Sequence, residues 1–432
     1  MKKTKMSAKF WIALTIFSLI GQVAWVVENM YFNVFIYKMF NASASQISLM
    51  VSASSIAATI TTLLIGALSD KLGKRKLFIC SGYILWGISI WCFSLIRSGV
   101  IYKVFPMAVS AATIGVSLVI ILDCIMTFFG SAANDACFNA WLTDVTDDTN
   151  RGAAEGINSM MPLVAILVVF GGFMSFNLDY EASWVTIFKI IGTVVFLLGV
   201  LGFFLIEDAP VDTSQNQNYF KNIFYGFKPS VIKENKMYYV VLVAYAVFNI
   251  SIQIFMPYLI LYYDVSLGLS NYVLIMAPAV IVAAIVTAFY GRVYDRFHFK
   301  KSVIPSIGML MLGYIILYLF TNTALVFIGS LFMMSGYLSS MAVFGAMLRD
   351  YTPENRTGMF QGLRIVGQVL IPGIIGPAIG AAVLKNAEQI LNNDGTYSFI
   401  PNQNIFLAAL VAAIVIWFVL VFVFKMLKEK KN

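Results

Sequence analysis

The stretch GALSDKLGKRK, residues 66–76, and its near-copy GRVYDRFHFKK, residues 291–301, decide how this chain folds. Each is a short basic run between two long apolar segments. An offset of 225 residues, without gaps, superposes them. The same offset places Tyr37 on Tyr262, Gln46 on Asn271, Gly66 on Gly291, Asp70 on Asp295 and Lys76 on Lys301. A second echo, at its own spacing, pairs DVTDDTNRGAAEG (144–156) with DYTPENRTGMFQG (350–362) and needs one-residue shifts within the pair. The chain is a duplication.

Outside the two runs the sequence is apolar. Of 432 residues, 60% are hydrophobic and 12% charged, where a soluble protein carries about 25% charged. Mean hydropathy is +0.84. The pattern predicts twelve membrane-spanning helices: 10–37, 46–68, 77–97, 117–143, 153–176 and 184–206, then 237–263, 270–292, 303–321, 324–347, 359–385 and 403–425. The first is too long for a signal peptide and lacks a small-residue cleavage site. Residues 207–236, with Pro210, TSQNQN and scattered lysines, read as a linker between halves 1–206 and 237–432. Lysines and arginines gather at the N-terminus, in both copies of the run, in the linker and in KMLKEKKN, so both termini and the linker are expected on the cytoplasmic side.

The net charge of +8 would suggest nucleic acid in a soluble protein. Here the basic residues lie in alternate loops, where they set topology and meet anionic lipid. No nucleic-acid partner is expected. Cys80, Cys92, Cys124 and Cys137 show neither a disulfide framework nor zinc spacing, and the single histidine, His298, sits in a basic loop. No metal site, phosphate-cradling loop or nucleophile–base pair is apparent, so an enzyme is not expected.

Polar residues inside the spans carry the functional reading. In the first span, Gln22, Trp25, Asn29 and Asn33 fall along one stripe at 100° per residue, with Glu28 on its flank. A carboxylate at mid-bilayer costs about 2–3 kcal/mol even on the mildest insertion scale. Such a stripe should face the other half or an aqueous cavity. The fourth span repeats the pattern: Asp123 and Asn134 share a face, and Asp135 and Asn139 make a neighbouring stripe. Asp135 lies about 15 Å from the cytoplasmic helix end. Amides and carboxylates suit sugar hydroxyls, and an indole plane suits the apolar face of a ring. A mid-membrane carboxylate can also exchange a proton with whichever side it faces. Glu28 and Asp135, with Asp123 shallower, are the expected proton-coupling groups. Gln253, opposite Glu28 by the offset, and Gln368 are the second-half candidates. Helix–helix glue is the alternative for each amide, Asn33 above all. In the runs, Gly66 is expected to allow close helix approach, and Asp70 to latch a neighbouring helix end or an arginine. Gly73, Arg75, Gly291, Asp295 and Arg296 complete that gate. Arg151 and Arg356 are expected to pair with Asp70, Asp295 or loop acids.

GALSDKLGKRK resembles the loop signature of the major facilitator superfamily, with Gly66, Asp70, Gly73, Lys74 and Arg75 at the expected positions. The resemblance implies an all-α membrane protein of twelve helices in two pseudo-symmetric six-helix bundles. GQVAWVVENMYFN (21–33) and LDCIMTFFGSAANDACFNAWLTD (122–144) look like segments of a bacterial branch near the glycoside–pentoside–hexuronide:cation symporters, the group of the melibiose permease. ENRTGMFQGLR (354–364) adds a weaker match. In that family a mid-membrane aspartate of the fourth helix binds sugar, and Asp135 best matches it. The family's second-helix aspartates are missing: SSIAATITTLLIGALSD (54–70) has no ionisable residue before Asp70, so that sodium site is not present in that form. The lysine of the eleventh helix is missing too, and Gln361, Arg364 and Gln368 stand in that helix.

The expectation is a secondary active transporter, acting as a monomer in a prokaryotic cytoplasmic membrane. It would move a sugar or glycoside by alternating access, coupled to protons or to sodium, with no other cofactor. An exporter of drugs, lipids or metabolites is the alternative, since fold alone does not set substrate or direction. A non-transporting receptor is disfavoured by the two intact runs.

Overall fold

A computed structural model describes residues 6–106, 110–147, 150–208, 225–353, 357–392 and 396–429. Among these, eleven helices are long and apolar enough to cross a membrane. One of them, Val273–Leu319, has 47 residues, about 70 Å of helix, where a bilayer core needs about 30 Å. It breaks at His298, whose φ of 58° and ψ of −178° are not helical. Split there, it supplies two crossings, and the expected twelve are recovered. They are α1 (Ala8–Phe40), α2 (Ala44–Ser69), α3 (Arg75–Phe93), α4 (Ala111–Val145), α5 (Arg151–Phe173), α6 (Glu181–Leu205), α7 (Lys236–Ser266), α8 (273–297), α9 (299–319), α10 (Thr323–Asp350), α11 (Gly362–Val383) and α12 (Asn404–Lys428). The helix containing α11 begins at Thr357. A short antiparallel hairpin, β1 (Gln389–Leu391) with β2 (Tyr397–Phe399), precedes α12. No strand was expected in this apolar, helix-rich sequence.

Local chemistry sets the helix ends. Ser7 and Ser110 cap α1 and α4 by accepting from Phe10 N and Thr113 N, and Asn322 caps α10 by accepting from Ala324 N. Such caps satisfy backbone donors that lack a partner in the first turn. At the other end of α1, Asn41 takes a left-handed φ of 51°, a C-terminal stop.

Internal contacts divide the chain into two units, Met1–Ala42 with Ala53–Lys221, and Ser43–Ser52 with Asn222–Asn432. The start of α2 thus groups with the second unit. There Tyr258 Oη donates to Ala44 O (3.0 Å) and Ser52 Oγ to Gly373 O (3.2 Å). In the first unit, α3 and α6 pack backbone to backbone through glycines. A Cβ on Gly87 would fall 2.6 Å from Gly192 O, and one on Gly199 2.6 Å from Ile84 N. In the second unit, Gly313 and Gly336 do the same for α9 and α10, each 2.6 Å from a Cα, that of Met333 and of Leu310. Small residues at such crossings let van der Waals packing hold helices where lipid removes the hydrophobic drive.

The structure corrects one expectation for the duplicated runs and gives detail to others. Gly66 does not serve close approach: a Cβ there would meet only Ala136 Cβ, at 3.9 Å, and one at Gly291 would meet nothing within 4 Å. The glycine that matters is Gly73, with φ of 61°, where a side chain is strained. Arg75 is buried and pairs with Asp144 (Nε to Oδ2, 3.0 Å), while Nη1 donates to Ser69 Oγ (2.5 Å). It ties α2, α3 and α4 of one unit. Among the described residues, Arg151 donates to Thr143 O (3.4 Å), Thr146 O (3.0 Å) and Thr146 Oγ1 (3.4 Å). It therefore caps the end of α4, whose last carbonyls lack helical donors. Asp295 and Arg296 are exposed, and Arg296 lies over the Phe297 ring. The Asp70 side chain and Arg356 lie outside the described residues.

A strap closes the same end of the first unit. Glu207 Oε1 takes Lys9 Nζ at 2.5 Å, its carbonyl accepts from Trp141 Nε1 (2.8 Å), and Asp208 Oδ1 accepts from Lys76 N (2.7 Å). The Lys9 ammonium holds the Glu207 carboxyl below its usual range.

Candidate functional site

Four spanning helices contain a π-helical turn, and each such turn carries polar side chains. They are Val27–Tyr31 in α1, with Glu28 and Asn29; Ser131–Phe138 in α4, with Asn134 and Asp135; Tyr262–Ser266 in α7, with Asp264; and Val366–Leu370 in the helix of α11, with Gln368. A π turn adds a residue to the helical repeat and rotates everything beyond it, a distortion frequent at functional sites. Sequence periodicity assumes a uniform helix and cannot show it.

In α1 the rotation divides the expected stripe. Gln22 and Trp25 are half-buried and Asn29 is exposed. Asn33 is instead fully buried, with Nδ2 donating to Asn29 O at 3.0 Å. The straight-helix stripe ending on Asn33 is thus corrected: the inserted residue turns Asn33 into the bundle.

Two polar clusters remain in the first unit. In the first, Trp25 Nε1 donates to Asn134 Oδ1 (3.3 Å), Asn134 Nδ2 to Tyr83 Oη (2.7 Å), and Tyr83 Oη to Phe17 O (3.1 Å). Gly21 makes the space, since a side chain there would strike the Asn134 amide. Trp86 supports Trp25, with ring centroids 5.0 Å apart. Asp135 is half-buried beside the same indole N–H, and Ser131 Oγ donates to its Oδ2 (3.0 Å). Asn139, exposed, donates to Asn134 O (3.3 Å) and Asp135 O (3.1 Å).

The second cluster lies further along α4. Thr127 Oγ1 donates to Glu28 Oε1 at 2.8 Å. One turn before Thr127, Asp123 is 1% exposed and hydrogen-bonds Ser54. Among the described residues, Glu28 Oε2 and Asp123 Oδ1 are buried without a hydrogen-bond partner. Asp123 and Asp135 both act electrostatically on Glu28. Among the described residues, no lysine or arginine pairs with any of the three carboxylates. Buried charge without a counter-charge is costly, so this arrangement suits groups that take up and release a cation.

Thr127, Ser131, Tyr83 and Ser54 were not anticipated. Thr127 and Ser131 stand one turn from Asp123 and Asp135 on the same helix, a spacing legible in sequence. Tyr83 and Ser54 come from other helices, and no local pattern announces them. In the second unit, Gln253 is half-buried and packs against Gly376, while Gln368 accepts from Arg364 Nε at 3.2 Å. Among the described residues, no cluster of three or more His, Cys, Asp or Glu side chains could hold a metal ion.

Polar and acidic groups buried inside the spans of a multi-pass helical membrane protein are the features a small-molecule transporter requires. The chain belongs to the Major Facilitator Superfamily: the family model matches residues 10–343 and again 288–432. No curated protein matches it by sequence. Among solved structures, it is similar to the nucleoside transporter NupG (14% identity, 97% of this chain and 100% of that one, TM-score 0.71). It is also similar to an inward-facing, occupied bacterial homologue of the human lysosomal transporter Spinster (15%, 97% of each chain, 0.70). The partially occluded xylose transporter XylE of E. coli is a third (12%, 94% of this chain and 97% of that one, 0.66). At these identities the likeness is one of fold.

Proposed function

We propose that this transporter takes up a sugar or glycoside by alternating access, coupled to protons, with sodium as the other candidate cation. It works as a monomer in a prokaryotic cytoplasmic membrane with both termini inside, in the branch of the melibiose permease. The observation that carries the reading is the pairing of two clusters in one unit. Trp25, Asn134, Asp135 and Asn139 offer an indole, amides and an accessible carboxylate, the mixture a sugar needs. Glu28 and Asp123, each with an unpartnered oxygen, offer a neighbouring place for the cation. Gln22 and Asn29 extend the accessible face of that unit, and Gln253 and Gln368 are the candidate substrate-binding amides of the second unit taken by itself. Arg75, Asp70, Gly73, Asp295, Arg296 and Arg356 serve the conformational cycle at the loop runs.

Proteoliposomes with a trapped pH indicator test this. Sugar addition should drive proton entry, and Asp135→Asn should abolish it while the protein stays folded. Unaltered coupling in that variant would sink the assignment. Sugar uptake that needs sodium and moves no proton would replace one cation by the other.

A further inference from the structure

In the second unit α7 and α12 pack against each other, but they part near the C-terminal end of α12. The gap is a cleft of about 570 Å³, lined by Tyr239, Val240 and Val243 of α7 and by Val419, Phe422 and Lys425 of α12. Val243 and Phe422 are 53% and 64% exposed, while Tyr239, Val240 and Val419 are half-buried. All lie within spans, so the medium that fills the cleft is lipid rather than water. From Lys236 to Val243 its α7 wall runs about 10 Å into the span.

Charge sits at one end only. Lys425 lines the cleft and is exposed. Lys428 lies one turn further along α12 and Lys236 one turn before Tyr239 on α7, both exposed. Since α7 starts where α12 ends, the three share one membrane surface. Among the described residues, no carboxylate pairs with any of them. Residues 236–243 and 415–428 contain no acid, and KMLKEKKN (425–432) has four lysines to one glutamate. Lys300 differs: its ammonium lies over the Phe424 ring at 5.3 Å, whereas among the described residues no ring takes Lys425. The wall beside these charges is held in place. Tyr239 Oη donates to Gly226 O, and a side chain on Gly226 would strike Leu363. The Tyr239 ring is thus a firm wall, and its hydroxyl is already committed.

We propose that this cleft binds one anionic glycerophospholipid. An acyl chain lies between Val240, Val243, Val419 and Phe422, and the phosphate sits on Lys425, flanked by Lys236 and Lys428. A chain gains little by moving from the bilayer to an apolar cleft, since both are hydrocarbon. Selection therefore falls on the headgroup. Each lysine near a membrane surface favours an anionic lipid by about fivefold. A zwitterionic choline headgroup sets its own cation against the lysines. A soluble phosphate would meet the lysines but leave the apolar walls empty. The site lies within the second unit and is independent of the substrate moved.

The test is native mass spectrometry and thermal unfolding of the purified full-length protein in detergent. The probes are dioleoyl phosphatidylglycerol, dioleoyl phosphatidylcholine and glycerol 3-phosphate. One phosphatidylglycerol should stay bound, at least about tenfold more tightly than phosphatidylcholine, and should raise the unfolding midpoint. Lys425→Gln should weaken it by about fivefold, and Lys236→Gln/Lys425→Gln/Lys428→Gln by about 100-fold. Val243→Trp, which fills an exposed part of the cleft, should displace the lipid with all three lysines in place. Each variant alters exposed side chains, and its unfolding midpoint without lipid shows that the fold survives. Equal retention of phosphatidylcholine would overturn the proposal, as would phosphatidylglycerol binding that Lys425→Gln leaves unchanged. Glycerol 3-phosphate bound as tightly as the lipid would overturn the role of the apolar walls. A dimer in lipid-free detergent that Val243→Trp disrupts would make a second copy the occupant and overturn it too.

Discussion

Gly73 and His298 occupy the same place in the two copies of the loop run and share a left-handed backbone, with φ of 61° and 58°. The duplication has kept a turn and changed the residue best suited to it. At ψ of −178°, His298 stands in a region that glycine occupies almost alone. The conformation survives because the run must reverse the chain between α8 and α9.

His298→Gly should therefore stabilise the protein by about 1 kcal/mol, the relief of strain less glycine's entropy cost. Gly73→Ala should destabilise by about 1–2 kcal/mol. Thermal unfolding in detergent measures both, and a lower midpoint for His298→Gly would refute the strain argument.

The glycines of the helix crossings separate in the same assay. Gly66→Ala should leave stability within about 0.5 kcal/mol of wild type, because the new methyl meets only Ala136 Cβ at 3.9 Å. Gly336→Ala should be strongly destabilising, because its Cβ would lie 2.6 Å from Leu310 Cα and a backbone cannot yield as a side chain does. Equal effects would mean that the α9–α10 crossing is looser than described.

Arg75→Ala should cost about 3 kcal/mol, since it strands a partly buried Asp144 without its partner. Arg75→Ala/Asp144→Ala should recover part of the loss. A double variant no better than the single would show that packing rather than charge carries the effect.

Tyr83→Phe removes the acceptor of the Asn134 amide without altering the ring's packing. Substrate affinity should fall by about three- to tenfold, with the proton-to-substrate ratio unchanged. A changed ratio would move Tyr83 from positioning the binding cluster to the coupling path.

The Lys9–Glu207 link has a definite pH sign. Because Lys9 depresses the folded carboxyl, its stabilisation is present above the ordinary value of 4.5 and is lost as pH falls through the folded value. The midpoint difference between wild type and Glu207→Gln should be measurable at pH 6 and vanish in strong acid. A difference that grows on acidification would reverse the assignment.

The sequence by itself determined the duplication, the twelve crossings, the acidic residues inside them and the loop motif. These are legible because span length and repeat offset are local properties of an apolar chain. Even the double crossing hidden in Val273–Leu319 was readable from the basic run within it. The tertiary structure alone decided which polar groups meet. Thr127 reaches Glu28 across 99 residues and Asn134 reaches Tyr83 across 51, joined by helix packing rather than by any spacing. It also decided that Asn33 faces the bundle and Asn29 does not, because a π turn shifts the helical register without leaving a mark in the periodicity. Arg364 reads in sequence as one more charge near a helix end; the direction of its side chain, inward to Gln368, needed the fold.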